Sequence, residues 1–266
     1  MSSTASVTTL VLALATAPLL GGPARGGHLP PLTAKYRIDQ TLNQEIDATG
    51  AGAGKQVIRF TTTSYLTVRL TDSAGGKAVR AVLDSMKGDS AAPIPASVMD
   101  SARGGEFRGY LEHSGRPGRL VAVGNPAAAQ VQGLLSDFLP WIRPGFKVGE
   151  SWADTAVATT GEGADTVTVR RVVTYKATAN EGQGARKAVR IATSHTSEVN
   201  GSQPTPQGSA KISGTGTGSG SYLVSSDGRY LGGQWEITSA LQLSGSFSPQ
   251  PVPITITQST KVSILP

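Results

Sequence analysis

The sequence has no cysteine and only three histidines, His28, His113 and His195, in 266 residues. Without cysteine there are no disulfides, thiolate metal sites, iron–sulfur clusters or thiol nucleophiles. Three widely spaced histidines offer little for a histidine-based metal centre. Charge is also scarce: 16% of residues are Asp, Glu, Lys or Arg, against a usual ~25%. The net charge of +6 is spread along the chain, so no segment forms a nucleic-acid footprint.

Several cofactor and catalytic motifs fail on inspection. Gly50–Lys55 has Thr49 and Gln56 where a phosphate-binding loop needs glycine and a hydroxyl residue. Gly214 and Gly216 could open a dinucleotide fingerprint, but its third glycine position is Ser219. Neither a Gly-x-Ser-x-Gly elbow nor a His-Glu-x-x-His pair occurs. No cofactor and no metal site is expected. His195 is the one candidate general base, and no positioned partner for it can be identified from the sequence. Glu162 and Asp165 read as a solvated hairpin tip, because a calcium site wants six or more oxygens. Arg103, Arg108, Arg116 and Arg119, interleaved with Glu106 and Glu112, read as a solvated surface, with an anion contact as the alternative.

Glycine, by contrast, is abundant, with 33 residues. So are apolar stretches with a strand period. The first of these differs from the rest. Val7 to Leu20 is a continuous apolar run followed by Gly21, Gly22 and Ala24. It is short for a ~30 Å hydrocarbon layer and suits the core of a secretory signal peptide. Residues 1–24 are therefore expected to be a signal peptide and 25–33 a flexible leader. The mature protein would then be extracytoplasmic, in the periplasm or secreted, with no stable transmembrane segment.

From residue 34 to 266 the pattern is that of a single β-rich domain, with a sub-boundary conceivable at 139–149. Tyr36, Ile38, Leu42 and Ile46 share one face of a first strand. Ile58, Phe60, Leu66, Val68 and Leu70 share a face of a second, with Thr62 and Ser64 in phase. Asp227-Gly228 signals a tight hairpin. Ser97 to Asp100 reads as the capped start of a short helix. Asn125 and Pro126 read as the cap and first residue of another, whose apolar face is Val131, Leu134, Leu135 and Phe138. Trp152 reads as a core anchor.

About eleven strands and one or two short helices are expected. The fold class is mainly β (α+β): a long, curved antiparallel sheet or incomplete barrel with helices covering its hollow. A transmembrane barrel fits less well, since the aromatic residues do not cluster into two girdles.

The most unusual segment is Ile212 to Val224. Gly214, Gly216, Gly218 and Gly220 alternate with Ser and Thr, in phase with Ile212, Tyr222 and Val224. In a strand these glycines lie on the apolar face. They can mark packing or bending, a flexible linker, or a trough kept clear for a ligand.

Leu139-Pro140 together with Val148-Gly149-Glu150-Ser151-Trp152 resembles a group of uncharacterised bacterial exported proteins and lipoproteins. Those share a proline-rich connector, a Val-Gly-(Asp/Glu)-(Ser/Thr)-Trp motif and long Thr/Ser-rich strands. This chain departs from the anchored members in having no lipid-attachment cysteine. More remotely, long strands around short helices resemble the half-barrel lipoprotein-carrier fold, whose hollow holds acyl chains. Long strands apolar on one face, with glycines in phase, point to a non-catalytic exported protein whose partner is a hydrophobic small molecule or lipid held in the hollow. Candidate ligand-lining residues are Gly214, Gly216, Gly218, Gly220, Trp235, Ile237, Leu241, Ile254 and Ile256. Two alternatives stand beside this: a structural or interaction protein of the cell envelope with a packed core, and a hydrolase with an unrecognised site.

Overall fold

Eleven strands join edge to edge in one antiparallel sheet. The computed structural model describes residues 32–135, 138–163, 165–182, 187–205, 208–246 and 248–266. In chain order the strands are β1 (Leu32–Ala48), β2 (Gly54–Ser73), β3 (Gly76–Gly88), β4 (Glu106–Glu112), β5 (Val121–Val123), β6 (Ser151–Glu162), β7 (Asp165–Glu181), β8 (Ala188–Thr205), β9 (Gly208–Ser225), β10 (Tyr230–Gly245) and β11 (Ser248–Leu265). Among the described residues two α-helices accompany them, α1 (Ala96–Ser101) and α2 (Pro126–Leu135). The fold is thus mainly β, a curved sheet that does not close. The expected signal peptide lies outside the described residues, as does most of the leader. The leader's last two residues, Leu32 and Thr33, belong to β1, paired with Leu70 and Arg69. Among the described residues no helix is long and apolar enough to cross a membrane.

The sheet order is β5-β4-β3-β2-β1-β11-β10-β9-β8-β7-β6. The first and last strands pair at its centre, with Tyr36 opposite Ile264 and Ile46 opposite Ile254. Every other pair of neighbours is consecutive in the chain, so the chain runs outward from the centre, crosses over, and returns. The crossing is made by residues 139–149, which lead from one edge to the other rather than dividing two sheets. Strands of 16 to 20 residues such as β2 and β10 must twist and coil, and the coiled sheet wraps a hollow.

Two apolar clusters fill the ends of that hollow. The larger gathers Tyr36, Ile38, Leu66, Leu83 and Phe107 from the sheet with Val131, Leu135 and Met99 from the helices. Phe138 and Ile142 of the crossing segment join it. The smaller gathers Ile46, Val199, Ile212, Leu241, Val252 and Ile254 from the sheet alone. Helix α2 is capped as expected: the Asn125 Oδ1 accepts from the N–H of Ala127 (2.9 Å) and Ala128 (3.1 Å). Helix α1 differs. It starts at Ala96 with Pro95 at the N-cap and no side-chain cap. The Pro95 carbonyl takes the N–H of Val98 and Met99, so Ser97 lies inside the helix instead of capping it.

Tyr36 illustrates what holds the larger cluster. It is 2% exposed, stacks on Tyr230 with ring centroids 5.7 Å apart, and donates its hydroxyl to the Tyr230 carbonyl at 2.9 Å. Burial pushes its phenol up to about 12, a little offset by the Arg229 charge. Burial likewise raises the Tyr230 phenol well above its ordinary value, with Tyr222 and Tyr36 adding to the effect. A phenol raised in the fold is neutral there while its unfolded counterpart ionises near ~10. The folded chain then holds more protons, so stability falls as pH rises from about 10 toward about 12 and is untouched below. Urea midpoints are expected to drop steeply across that window in the wild type and less steeply in Tyr36→Phe. At neutral pH the same variant is expected to lose about 1 kcal/mol with the hydrogen bond. Parallel curves for the two proteins would show that Tyr36 does not carry the effect.

Candidate functional site

Strand register arranges the inward side chains in rows that run across the sheet from β2 to β6. One row is Thr62, Gln40, Thr260, Trp235, Gly220, Thr193, Tyr175 and Trp152. The next is Phe60, Leu42, Gln258, Ile237, Gly218, His195, Val173 and Asp154. The third is Ile58, Gln44, Ile256, Ser239, Gly216, Ser197, Arg171 and Ala156. Beyond the third row comes the apolar series Ile254, Leu241, Gly214, Val199 and Val169.

These three rows contain many polar groups, unlike the apolar clusters on either side. The concave face is therefore more polar than the largely apolar surface read from the alternation. It is a belt of Gln, Ser, Thr and charged side chains between two apolar layers. A cavity of about 420 Å³ lies within this belt, and Leu134, Phe138 and Trp141 also line it.

The expected lining residues divide. Gly216, Trp235, Ile237 and Ile256 line the cavity. Leu241 and Ile254 are buried in the smaller apolar cluster. Gly214, Gly218 and Gly220 face inward by register but are not among the residues that line it. Their backbone explains this. A Cβ on Gly218 would sit 2.4 Å from the Glu236 carbonyl oxygen, and one on Gly220 would sit 2.5 Å from that of Gln234. The neighbouring strand fills the room that the absent side chains leave. At Gly216 the nearest atoms are instead the hydroxyls of Ser197 and Ser239, at 2.5 and 2.7 Å from a built Cβ. Two hydroxyls from flanking strands thus converge over Gly216.

The gap between the sheet edges is bridged beside the cavity. Arg116, in the turn after β4, donates from Nε to the Asp154 Oδ2 on β6 at 3.2 Å. Its terminal nitrogen bonds the other carboxylate oxygen of Asp154 and the Thr155 carbonyl at 3.4 Å. The guanidinium also lies 5.7 Å from the Trp141 ring centroid, and Trp141 Nε1 donates to the Ser114 carbonyl at 2.8 Å. Arg116 is therefore part of a seam, not of a solvated basic surface. Its side chain is 15% exposed.

His195 is buried and lines the cavity between Gly218 and Val173. Its chain neighbours Ser194 and Thr196 are exposed, so the nearest inward hydroxyls along the strand are those of Thr193 and Ser197, two residues away on either side. Trp152 is a core residue, stacked on Tyr175 at 5.6 Å. No group of three or more His, Asp or Glu side chains that could hold a metal occurs among the described residues. Gln40, Gln258, Thr260, Ser197, Ser239 and Arg171 all line the cavity, and the sequence reading had assigned none of them to a site. Parity was the available signal. Gln40 is in phase with Tyr36 and Leu42, and Gln258 and Thr260 with Ile256 and Val262.

No protein-family model and no curated protein matches the chain. Among solved structures it has low similarity to Pseudomonas aeruginosa OccK10 (OpdN), at 11% identity and a TM-score of 0.25 over 88% of this chain and 99% of that one. Similarity to Pseudomonas aeruginosa OccK2 (OpdF) is at 9% identity and a TM-score of 0.23, over 91% of this chain and 100% of that one. Scores this low carry no functional weight.

Proposed function

We propose that this is an exported, non-catalytic binding protein that holds an amphipathic small molecule or lipid in the hollow of its sheet. The observation that carries the reading is the 420 Å³ cavity, whose walls combine Phe60, Leu42, Ile237 and Trp235 with amides and hydroxyls. Its volume is within the ~300–1,000 Å³ of small-molecule sites. Mostly apolar walls with a few placed polar groups are the usual make-up of such sites. An envelope protein that serves only as structure has no need of a hollow at the centre of its sheet. Export rests on the apolar run at Val7 to Leu20 and its small-residue flank.

The test is native mass spectrometry of protein purified from its host, with a delipidated sample as control, followed by titration with the neutral dye N-phenyl-1-naphthylamine. A bound mass that disappears on delipidation, and one dye site per chain, are expected. Ala156→Phe, on edge strand β6, should weaken the dye at least ten-fold by filling the cavity with little strain on the fold. Absence of both a co-purified mass and dye binding would overturn the reading.

A further inference from the structure

The cavity's two walls differ in kind. On the β6–β8 side, Asp154, Arg171 and His195 face inward, and Arg116, Arg119 and Glu112 lie nearby. On the side built by β1, β2, β10 and β11, the inward residues of the three rows include no ionisable group. Their polar members are amides and hydroxyls: Gln40, Gln44, Thr62, Ser239, Gln258 and Thr260.

Part of this neutral wall is unsatisfied. Thr260 lines the cavity at 3% exposure, and its Oγ1 has no hydrogen-bond partner. Gln44, one strand over and two rows away, also has no partner for Nε2, but it is not among the residues that line the cavity. Gln40 Oε1 receives only a long bond of 3.5 Å from Thr62. Buried polar atoms are almost always paired, and each orphan costs about 1–3 kcal/mol. The one at Thr260, on the cavity wall beside the weakly bonded Gln40, indicates that something else completes it. A glutamine amide and a threonine hydroxyl each donate and accept. Their natural complement also donates and accepts at short spacing, as vicinal hydroxyls do. An anionic head only accepts, and burying its charge against a wall with no cation is costly.

From this we infer that the ligand's head is uncharged and hydroxyl-bearing. It is held by Gln40, Gln258 and Thr260, while its apolar part lies along Phe60, Leu42 and Ile237. This rests on the binding reading above. The chemistry is shared by monoacylglycerols and alkyl glycosides.

The experiment displaces N-phenyl-1-naphthylamine from delipidated protein with three probes: 1-decanoylglycerol, decyl glucoside and decanoate. One or both neutral probes should bind at least ten-fold tighter than decanoate, and the stronger of the two identifies the source of the head. Thr260→Val removes the orphan hydroxyl at nearly constant volume. It should lower the affinity for the preferred neutral probe, relative to the dye, about five-fold, and Gln258→Leu should do the same. Decanoate binding as tightly as the neutral probes would overturn the inference. So would a neutral-probe-to-dye ratio that Thr260→Val leaves unaltered, since water alone then completes the wall. If no dye binds and no mass co-purifies, the binding reading itself fails. Dye binding without head selectivity removes only the inference about the head.

Discussion

Alanine at Gly218 or Gly220 is expected to destabilise the protein by about 2–3 kcal/mol, whereas alanine at Gly216 costs less than about 1. All three glycines lie on the same face of β9, two residues apart, so propensity does not separate them, and burial, greatest at Gly216, would order them the other way. What separates them is the identity of the atom that a methyl group would strike. At Gly218 it is the Glu236 carbonyl oxygen at 2.4 Å, with Ile237 Cγ1 at 2.8 Å. At Gly220 it is the Gln234 carbonyl oxygen and the Trp235 Cβ, each at 2.5 Å. The carbonyl oxygens and the Trp235 Cβ are fixed by the backbone and cannot rotate away; β10 itself must move, and with it the pairing that carries Trp235 and Ile237. At Gly216 the obstructing atoms are two serine hydroxyls, and the nearest backbone atom is the Thr238 oxygen at 3.4 Å. Serine rotamers can yield at small cost. Urea denaturation of the three variants measures the contrast. Equal losses at all three positions would mean that the close approach of β10 relaxes freely and that the glycines are not needed for it. The dye is expected to report the reverse order, because Gly216→Ala intrudes on the cavity while the other two variants do not.

The same stripe shows how far this molecule can be read from its sequence. Parity placed the glycines on the inward face, and the structure has them there. Parity alone could not say whether the vacated room belongs to a ligand or to the neighbouring strand, because that depends on how closely β10 approaches. Helix α2 was legible for a local reason: Asn125 and Pro126 encode the cap within a few residues. The polar belt was not. An alternating pattern is recognised by its apolar members, so Gln40, Gln258 and Thr260 register as gaps in a face. Only cross-strand pairing stacks those gaps into one wall, with Gln40 directly opposite Thr260. Distant contacts were the least legible. Arg116 lies in an arginine-rich stretch that looks solvated, and its partner Asp154 is reached only after the crossing segment has taken the chain to the opposite edge of the sheet.

That pairing leads to the second large effect. Asp154→Ala is expected to cost roughly 2–3 kcal/mol, below the ~3–5 of a fully buried pair because both side chains retain some solvent contact. The edges β5 and β6 share no backbone hydrogen bonds, so the seam depends on side chains. Removing the carboxylate leaves the Arg116 guanidinium mostly buried, against Trp141 and without its anion. Arg116→Ala also removes the pair, but it leaves Asp154 at 22% exposure, where water can partly replace the lost partner. It is therefore expected to cost less than Asp154→Ala, apart from lost packing on Trp141. Arg116→Met with Asp154→Leu should recover much of the stability, since two apolar groups carry no desolvation penalty. A urea double-mutant cycle measures the coupling, and a value below about 0.5 kcal/mol would reduce the pair to a screened surface contact. Stability is only one readout. The seam flanks the cavity, so loosening it should accelerate dye entry and release even where affinity changes little. In stopped-flow mixing, Asp154→Ala is expected to exchange dye several-fold faster than wild type, and the apolar double variant at close to the wild-type rate. Unaltered exchange in Asp154→Ala would place the entrance to the cavity elsewhere on the sheet.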